Sequence, residues 1–377
     1  LLGMAFSRHN NLQGLENHAL FGLDATKLND TRRRHLLQRL THPDYPDLAK
    51  LIVADMKVDR FSGFGSYSIH KQLLPTQLEE CLELAPELLT QSSFVNIYIS
   101  KLHPSNDLQW AENTEAQIAY LDRLWEFVVK LPSVHNSLKA HVLYRRLALD
   151  RSQGVYDPQR FTAYLKLPRN AFYVNPQYIK EANRSRNLVN LNANYSSITL
   201  LPVVGLDEPL IRSYLDHFFV DSEDHKIYGA YLQDTYLQEV FAEAKITHGV
   251  EDPNIWSPLL SAAKYQALRE RITLDFAYTS PTTYAADAKV SLEVDVKNVK
   301  KLIVKVYELN AENFFRQQLQ AISTSINLDG LVPNHERSLE YAVAPLLKVR
   351  HKFDFPELDN PGVYVVDFIG NGISSRA

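Results

Sequence analysis

The residues of this chain that could do chemistry stand mostly apart from one another. Its one cysteine, Cys81, sits in Glu79-Glu80-Cys81-Leu82-Glu83-Leu84. A nucleophilic thiol needs a lowered pKa and acidic neighbours raise it, so Cys81 is expected as a packed thiol on a helix face. A lone cysteine also forbids an internal disulfide and any CxxC zinc or redox centre. The 13 histidines include no HExxH, and His135 and His141, six apart, do not share one helical face. Arg145, Arg146, Asp150 and Arg151 have the i,i+4 spacing of ordinary helix-surface ion pairs. Asp221, Glu223, Asp224 and His225 are acidic enough to suggest a cation loop, but the glycine and glutamate such a loop needs are missing. They read as a solvated helix end.

Ser62-Gly63-Phe64-Gly65-Ser66 is the nearest approach to a phosphate cradle or nucleophile elbow, and a turn between helices accounts for it. No GxSxG, Walker or GxGxxG pattern occurs. No catalytic, cofactor-binding or metal-binding residue is therefore assigned, and no cofactor is expected. The enzyme alternative would need an unsigned site, for which His141, Tyr144, Arg145 and Asp150 are the candidates.

Bulk properties point the same way. Of 377 residues, 45% are hydrophobic and 22% charged, as in an ordinary folded chain. Glycine numbers only 13, roughly half its usual share, and phosphate-gripping cofactor folds lean on glycine-rich turns. A net charge of −4 leaves no electrostatic footprint for nucleic acid. The basic clusters Arg32-Arg33-Arg34 and Lys297 to Lys305 read as solvated faces. No apolar run reaches the length that crosses a bilayer. The chain opens Leu1-Leu2-Gly3-Met4, without a signal peptide, and stops just after a strand-like run; it reads as a fragment or processed piece of a longer polypeptide.

Elements that would position these residues fall into three stretches. Residues 1–166 form an all-α domain. Asp30-Thr31, Asn113-Thr114 and Asp157-Pro158 supply helix starts, and Pro86 and Pro132 supply stops. Ser133 starts a helix bearing Leu138, Val142 and Leu147. Residues 94–102 fit helix or strand, and their surroundings favour helix. Residues 167–271 are a mainly helical middle region packed on the first. In it, Glu208-Pro209 opens a helix with Leu210, Ile211, Tyr214, Leu215, Phe218 and Phe219 on one stripe. Ser257-Pro258 opens another, and the Asn-rich stretch 183–197 is an exposed loop. From 272 to 377 the hydrophobic period changes from 3.6 to 2, and turn signals separate several strands. The fold class expected is α+β and multidomain, with the helical region followed by an antiparallel fibronectin-like β-sandwich.

The stretch Val290 to Asn310, Ile326-Asn-Leu-Asp-Gly-Leu331 and Pro361-Gly-Val-Tyr-Val-Val366 resembles a macroglobulin-type domain of the alpha-2-macroglobulin superfamily, bacterial branch. The resemblance covers the last hundred residues. It implies a non-catalytic structural or binding segment of a larger peptidase-trapping or surface-defence protein, periplasmic or at the cell surface. Its partners would be a peptidase or another protein and further domains of the same polypeptide, with no nucleic acid. Arg184 and Arg186 in the Asn-rich loop would then be candidate bait-cleavage points. The alternative is a free-standing helical-plus-sandwich interaction protein.

Overall fold

The computed structural model describes residues 17–23, 28–58, 63–105, 110–183, 187–281, 283–285, 287–319, 323–324, 326–328 and 330–377. The chain divides into two compact units. Unit 1 falls within Leu1–Arg146, Leu167–Asn170 and Glu181–Leu206; unit 2 falls within Leu147–Lys166, Ala171–Lys180 and Asp207–Ala377.

Unit 1 is built from α1 (Asp30–Arg39), α2 (Leu48–Val58), α3 (Pro75–Leu84), α4 (Ser92–Lys101), α5 (Thr114–Val128) and most of α6 (Asn136–Ser152). The starts follow from side chains that satisfy the amides a helix leaves open. The Asn113 carboxamide oxygen accepts from the Ala116 amide at 2.9 Å, and Asn29, one residue earlier than Asp30, accepts from the Arg32 amide at 2.9 Å. The ambiguous 94–102 segment is helical: α4 buries Phe94, Val95, Tyr98 and Ile99 on one side. Tyr98 stacks on Phe127 of α5 with ring centroids 3.8 Å apart. In the Asn-rich stretch Asn190, Asn192 and Asn194 are exposed, but Val189 is buried and bridges to Arg169. Arg184 and Arg186 lie outside the described residues.

The Arg32-Arg33-Arg34 cluster is not a solvated face. All three are half-buried, and the Arg34 guanidinium lies 3.5 Å from the buried Asp55 carboxylate. A buried carboxylate needs such a partner, which a run of like charges in a sequence does not reveal.

Unit 2 opens with the end of α6 and with α7 (Pro158–Leu165), whose cap Asp157 accepts from the Gln159 and Arg160 amides. It continues through α8 (Pro176–Asn183), α9 (Glu208–Asp221), α10 (Asp234–Thr247) and α11 (Ala262–Glu270). Aromatic rings hold these helices together: Phe161 of α7 stacks on Tyr214 of α9 at 5.0 Å. Asp207 is buried and does not cap α9; it accepts the phenolic protons of Tyr164 and Tyr173, joining α7 to the start of α9. Ser257-Pro258 opens only a single 3₁₀ turn, Ser257–Leu259, and the helix that follows starts afresh with Ser261 as its cap.

The strands form two antiparallel sheets. Strands β1 (Thr273–Phe276), β2 (Ser291–Lys297) and β5 (Lys348–Asp354) run in the order β1-β2-β5. Strands β3 (Lys301–Leu309), β4 (His335–Glu340), β6 (Val363–Gly370) and β7 (Ile373–Arg376) run in the order β4-β3-β6-β7. Alternate residues face one shared core: Leu292, Val294 and Val296 from β2, Leu302, Val304 and Val306 from β3, with Phe353 and Phe368 between them. The fold class is thus α+β, a helical region of about 270 residues followed by an antiparallel sandwich. Strand positions within 339–355 differ from the periodicity. β4 ends at Glu340, so Tyr341 to Leu347 is not strand, and Lys352 to Asp354 closes β5 instead of forming its own strand. Between β3 and β4 lies α12 (Ala311–Gln318), capped by Asn310.

Candidate functional site

Several of the residues singled out for chemistry have a structural employment. Cys81 is buried inside α3, and burial followed by the charge of Glu80 pushes its thiol up to about 12. His141 is buried in α6, where its Nε2 lies 3.1 Å from the Thr199 hydroxyl; burial first, and Arg145 second, push it down to about 4. Arg145 donates to the Pro202 and Val203 carbonyls at 2.6–3.1 Å and stands beside the Tyr144 ring. Asp150 accepts from Arg160. His141, Tyr144, Arg145 and Asp150 are therefore engaged with separate partners.

Gly65, at φ +95°, turns its amide onto His70 Nδ1 at 2.8 Å, so this glycine turn serves a buried histidine. Burial pushes His70 down to about 4. Asp224 caps the turn His225–Tyr228, and among the described residues no cluster of His, Cys, Asp or Glu could hold a metal ion.

The more telling chemistry is in unit 2, where the sandwich meets α9, α10 and α11. A cleft of about 580 Å³ opens there, lined by Glu208, Arg212, Glu243, Asp275, Asp295 and Lys297 among others. Its charges answer one another. Arg212 reaches Glu208 at 2.8 Å and Glu243 at 3.2 Å, and Arg350 grips Asp295 with two bonds of 2.8 and 2.9 Å. Asp216 of α9 accepts from Lys348 of β5 at 2.9 Å and from His248 at 3.1 Å. Burial alone would raise the Asp216 carboxyl; the His248 hydrogen bond and the Lys348 ammonium outweigh it and hold it at about 2.

Lys297 was expected on a solvated face, yet it is 1% exposed. Its ammonium donates to the Leu268 carbonyl and, at 2.8 Å, to the Arg271 carbonyl. Beside it Asn298, in the left-handed region at φ +56°, donates to the Arg269 and Glu270 carbonyls at 3.3 and 3.0 Å. A helix ends with carbonyls that have no partner in the helix. Here the β2–β3 turn supplies partners to four successive carbonyls, 268–271. Burial, then the Arg271 charge, pushes Lys297 down to about 8. No spacing in the sequence announces this, because the two partners are about thirty residues apart. The Lys348–Asp216 pair and the caps supplied by Lys297 and Asn298 make the cleft a joint that fastens sandwich to helices.

A surface suited to a macromolecular contact lies elsewhere in unit 2. Phe172 is 71% exposed, and its ring packs edge-on against Tyr173 and Tyr236 at 5.4 and 6.0 Å. A rigidly backed exposed aromatic is the kind of residue that anchors protein interfaces. Sequence periodicity could not find it, since Phe172 sits in a turn. No described helix is long and apolar enough to cross a membrane.

Helices joined to a sandwich, with a polar joint and an exposed aromatic ring, define a helical-plus-sandwich protein. Residues 1–272 match the Actin-binding protein F N-terminal domain family, and residues 302–377 match the AbpF first immunoglobulin-like domain family. The chain is 32% identical over 356 residues, 93% of its length, to "Actin-binding protein F" of Dictyostelium discoideum. It belongs to the Actin-binding protein F family. It spans about 15% of that relative's length. No solved structure matches.

These matches overturn the alpha-2-macroglobulin resemblance, and with it the bacterial origin and the peptidase-trapping role. The segments that carried the resemblance are strand and turn sequences that any antiparallel sandwich needs. Within the first of them, Lys297 and Asn298 are here the helix cap of the joint. The expectation of a periplasmic or surface location rested on that resemblance and loses its support.

Proposed function

We propose that this chain is a non-catalytic actin-binding segment, in which the helical region makes the contact and the sandwich continues the polypeptide away from it. The observation that carries this is the match of residues 1–272 to the Actin-binding protein F N-terminal family, together with 32% identity across 93% of the chain to an actin-binding relative. The engagement of the candidate catalytic side chains by structural partners supports a binding role over a catalytic one. Phe172, backed by Tyr173 and Tyr236, is the proposed anchor. Co-sedimentation of residues 1–377 with filamentous actin tests the proposal. Saturable pelleting is expected, and Phe172→Ser should weaken it by about thirtyfold, the effect of losing an interface anchor worth ~2 kcal/mol. A chain that stays in the supernatant at every actin concentration overturns the proposal. Normal binding by Phe172→Ser would move the anchor elsewhere.

A further inference from the structure

Residues 187–206 contain no Asp, Glu, Lys, Arg or His, although 22% of the whole chain is charged. Surface connections usually carry charged or polar turn residues, yet this one ends in the run Leu200-Leu201-Pro202-Val203-Val204-Gly205-Leu206. Contacts within unit 1 explain how so apolar a connection is kept at the surface.

Its backbone is laid along polar side chains of α6 and of the turn before it. The Asn136 carboxamide donates to the Asn187 carbonyl at 3.0 Å, and Asn187 donates in turn to the Ser133 hydroxyl at 2.6 Å. Ser137, His141 and Arg145 recur every four residues and so share one side of α6. Ser137 accepts from the Asn190 amide at 2.9 Å, and His141 meets the Thr199 hydroxyl. The Arg145 guanidinium forks onto the Pro202 and Val203 carbonyls. The Tyr120 phenol donates to the Thr199 carbonyl at 2.8 Å, and the Gly205 amide ties the far end back to the Leu191 carbonyl at 3.0 Å.

With the backbone so engaged, apolar side chains are left outside. Leu200 is 43%, Val203 37% and Leu206 67% exposed. Leu200 also stands in the left-handed region at φ +58°, which a residue with a side chain adopts only at a cost. The bonds to Thr199 and Pro202, on either side, hold it there. A loop fixed in this way has little freedom left to lose on binding, so its exposed groups are worth more to a partner.

We infer that the loop Leu200–Leu206 is a second contact with filamentous actin, seated on an apolar part of the filament surface; this rests on the actin-binding reading above. Three observations select that occupant. The loop lies inside residues 1–272, the part that matches the Actin-binding protein F N-terminal domain family. Its lack of charge suits the core of a protein–protein contact, from which charged residues are depleted. Nucleic acid or anionic lipid would need basic side chains, and the one guanidinium beneath the loop is spent on two carbonyls.

Co-sedimentation of residues 1–377 with filamentous actin, the unaltered chain beside Val203→Asp/Leu206→Asp, tests this. The variant should bind at least about tenfold more weakly with an unchanged Tm, because both side chains are exposed. If the double change prevents folding, Leu206→Ser alone carries the test, with about tenfold weakening expected. Val332→Asp, the same change at an exposed side chain of unit 2, should bind as before. An equal loss there overturns the inference, since added negative charge would explain both. If the unaltered chain and the loop variant pellet equally well, the loop contact is overturned and the actin-binding reading stands. If the unaltered chain does not pellet, both fall. A variant that keeps its actin binding but loses binding to phosphatidylcholine vesicles, or loses self-association, also overturns the inference, because the occupant would be lipid or a second copy.

Discussion

Apart from the Arg34–Asp55 pair of unit 1, the two units keep prominent buried polar groups by different means. Unit 1 buries histidines in the neutral state: His70 accepts from the Gly65 amide, and His141 sits against Thr199. Unit 2 keeps its groups charged and answers each with a partner, as in the Asp216–Lys348–His248 cluster and the Lys297 cap. A neutral buried histidine is stable only while protons are scarce, whereas a carboxylate paired with an ammonium resists acid until it is itself protonated. The units should therefore answer differently to pH, and that contrast can be broken at several points.

The largest effect expected is on acidification. His70 and His141 both titrate near 4 in the folded state, against an ordinary 6.5. The unfolded chain takes up their protons first, so their contribution is complete above pH 6.5 and is lost as pH falls toward 4. Each costs about 3 kcal/mol by pH 4. Trp125 reports on unit 1 and Trp256 on unit 2, so tryptophan variants retaining only one or the other can follow each separately. The Trp125 signal should change at the higher pH; coincident transitions would erase the contrast.

Next in size is the cap. Lys297→Met should cost about 3 kcal/mol, because it leaves buried carbonyls without a donor. It should also change the alkaline behaviour. With its pKa lowered to about 8, Lys297 binds a proton less readily folded than unfolded, so stability should rise with pH between about 8 and 10. Denaturant melts across that range should lose this rise in Lys297→Met. A variant as stable as the parent would mean that solvent satisfies those carbonyls.

Asp216→Asn should cost about 2 kcal/mol at neutral pH. Its carboxyl, held at about 2, contributes fully above the unfolded value near 4, and that contribution disappears as pH falls through 2. Acid unfolding followed at Trp256 should thus flatten between pH 4 and 2 in the variant. An unchanged curve would place unit 2's acid resistance elsewhere. The smallest effect, about 1 kcal/mol, is expected for Asn29→Ala, which removes the α1 cap of unit 1 and should appear in urea melts at Trp125 without moving Trp256.

What could be read from the sequence divides along the same physical line. Local signals were legible: Asn113 and Asp157-Pro158 start helices because a side chain caps amides two or three residues away, and the period of two from Leu292 to Val296 marks a strand facing a core. Long-range partnerships were not. Lys297 in a lysine-rich run looks solvated until Leu268 and Arg271 are brought to it, and Arg34 looks surface-bound until Asp55 is seen buried beneath it. The candidate site was the least legible part. Phe172 lies in a turn with no periodic context. Short strand signatures also misdirected the choice of family, because residues that suit a sandwich suit many sandwiches.

The sandwich receives the chain at Thr273 and releases it past Arg376 at its opposite end, with β1 and β7 each zipped along four cross-strand pairs to β2 and β6. Tension drawn between those two points runs along the strands. The ladder bonds must then slide together instead of peeling one at a time, and all of them share the load. Fastened to α11 at one end by Lys297 and Asn298, the domain is built to carry a pull along its strands without unzipping.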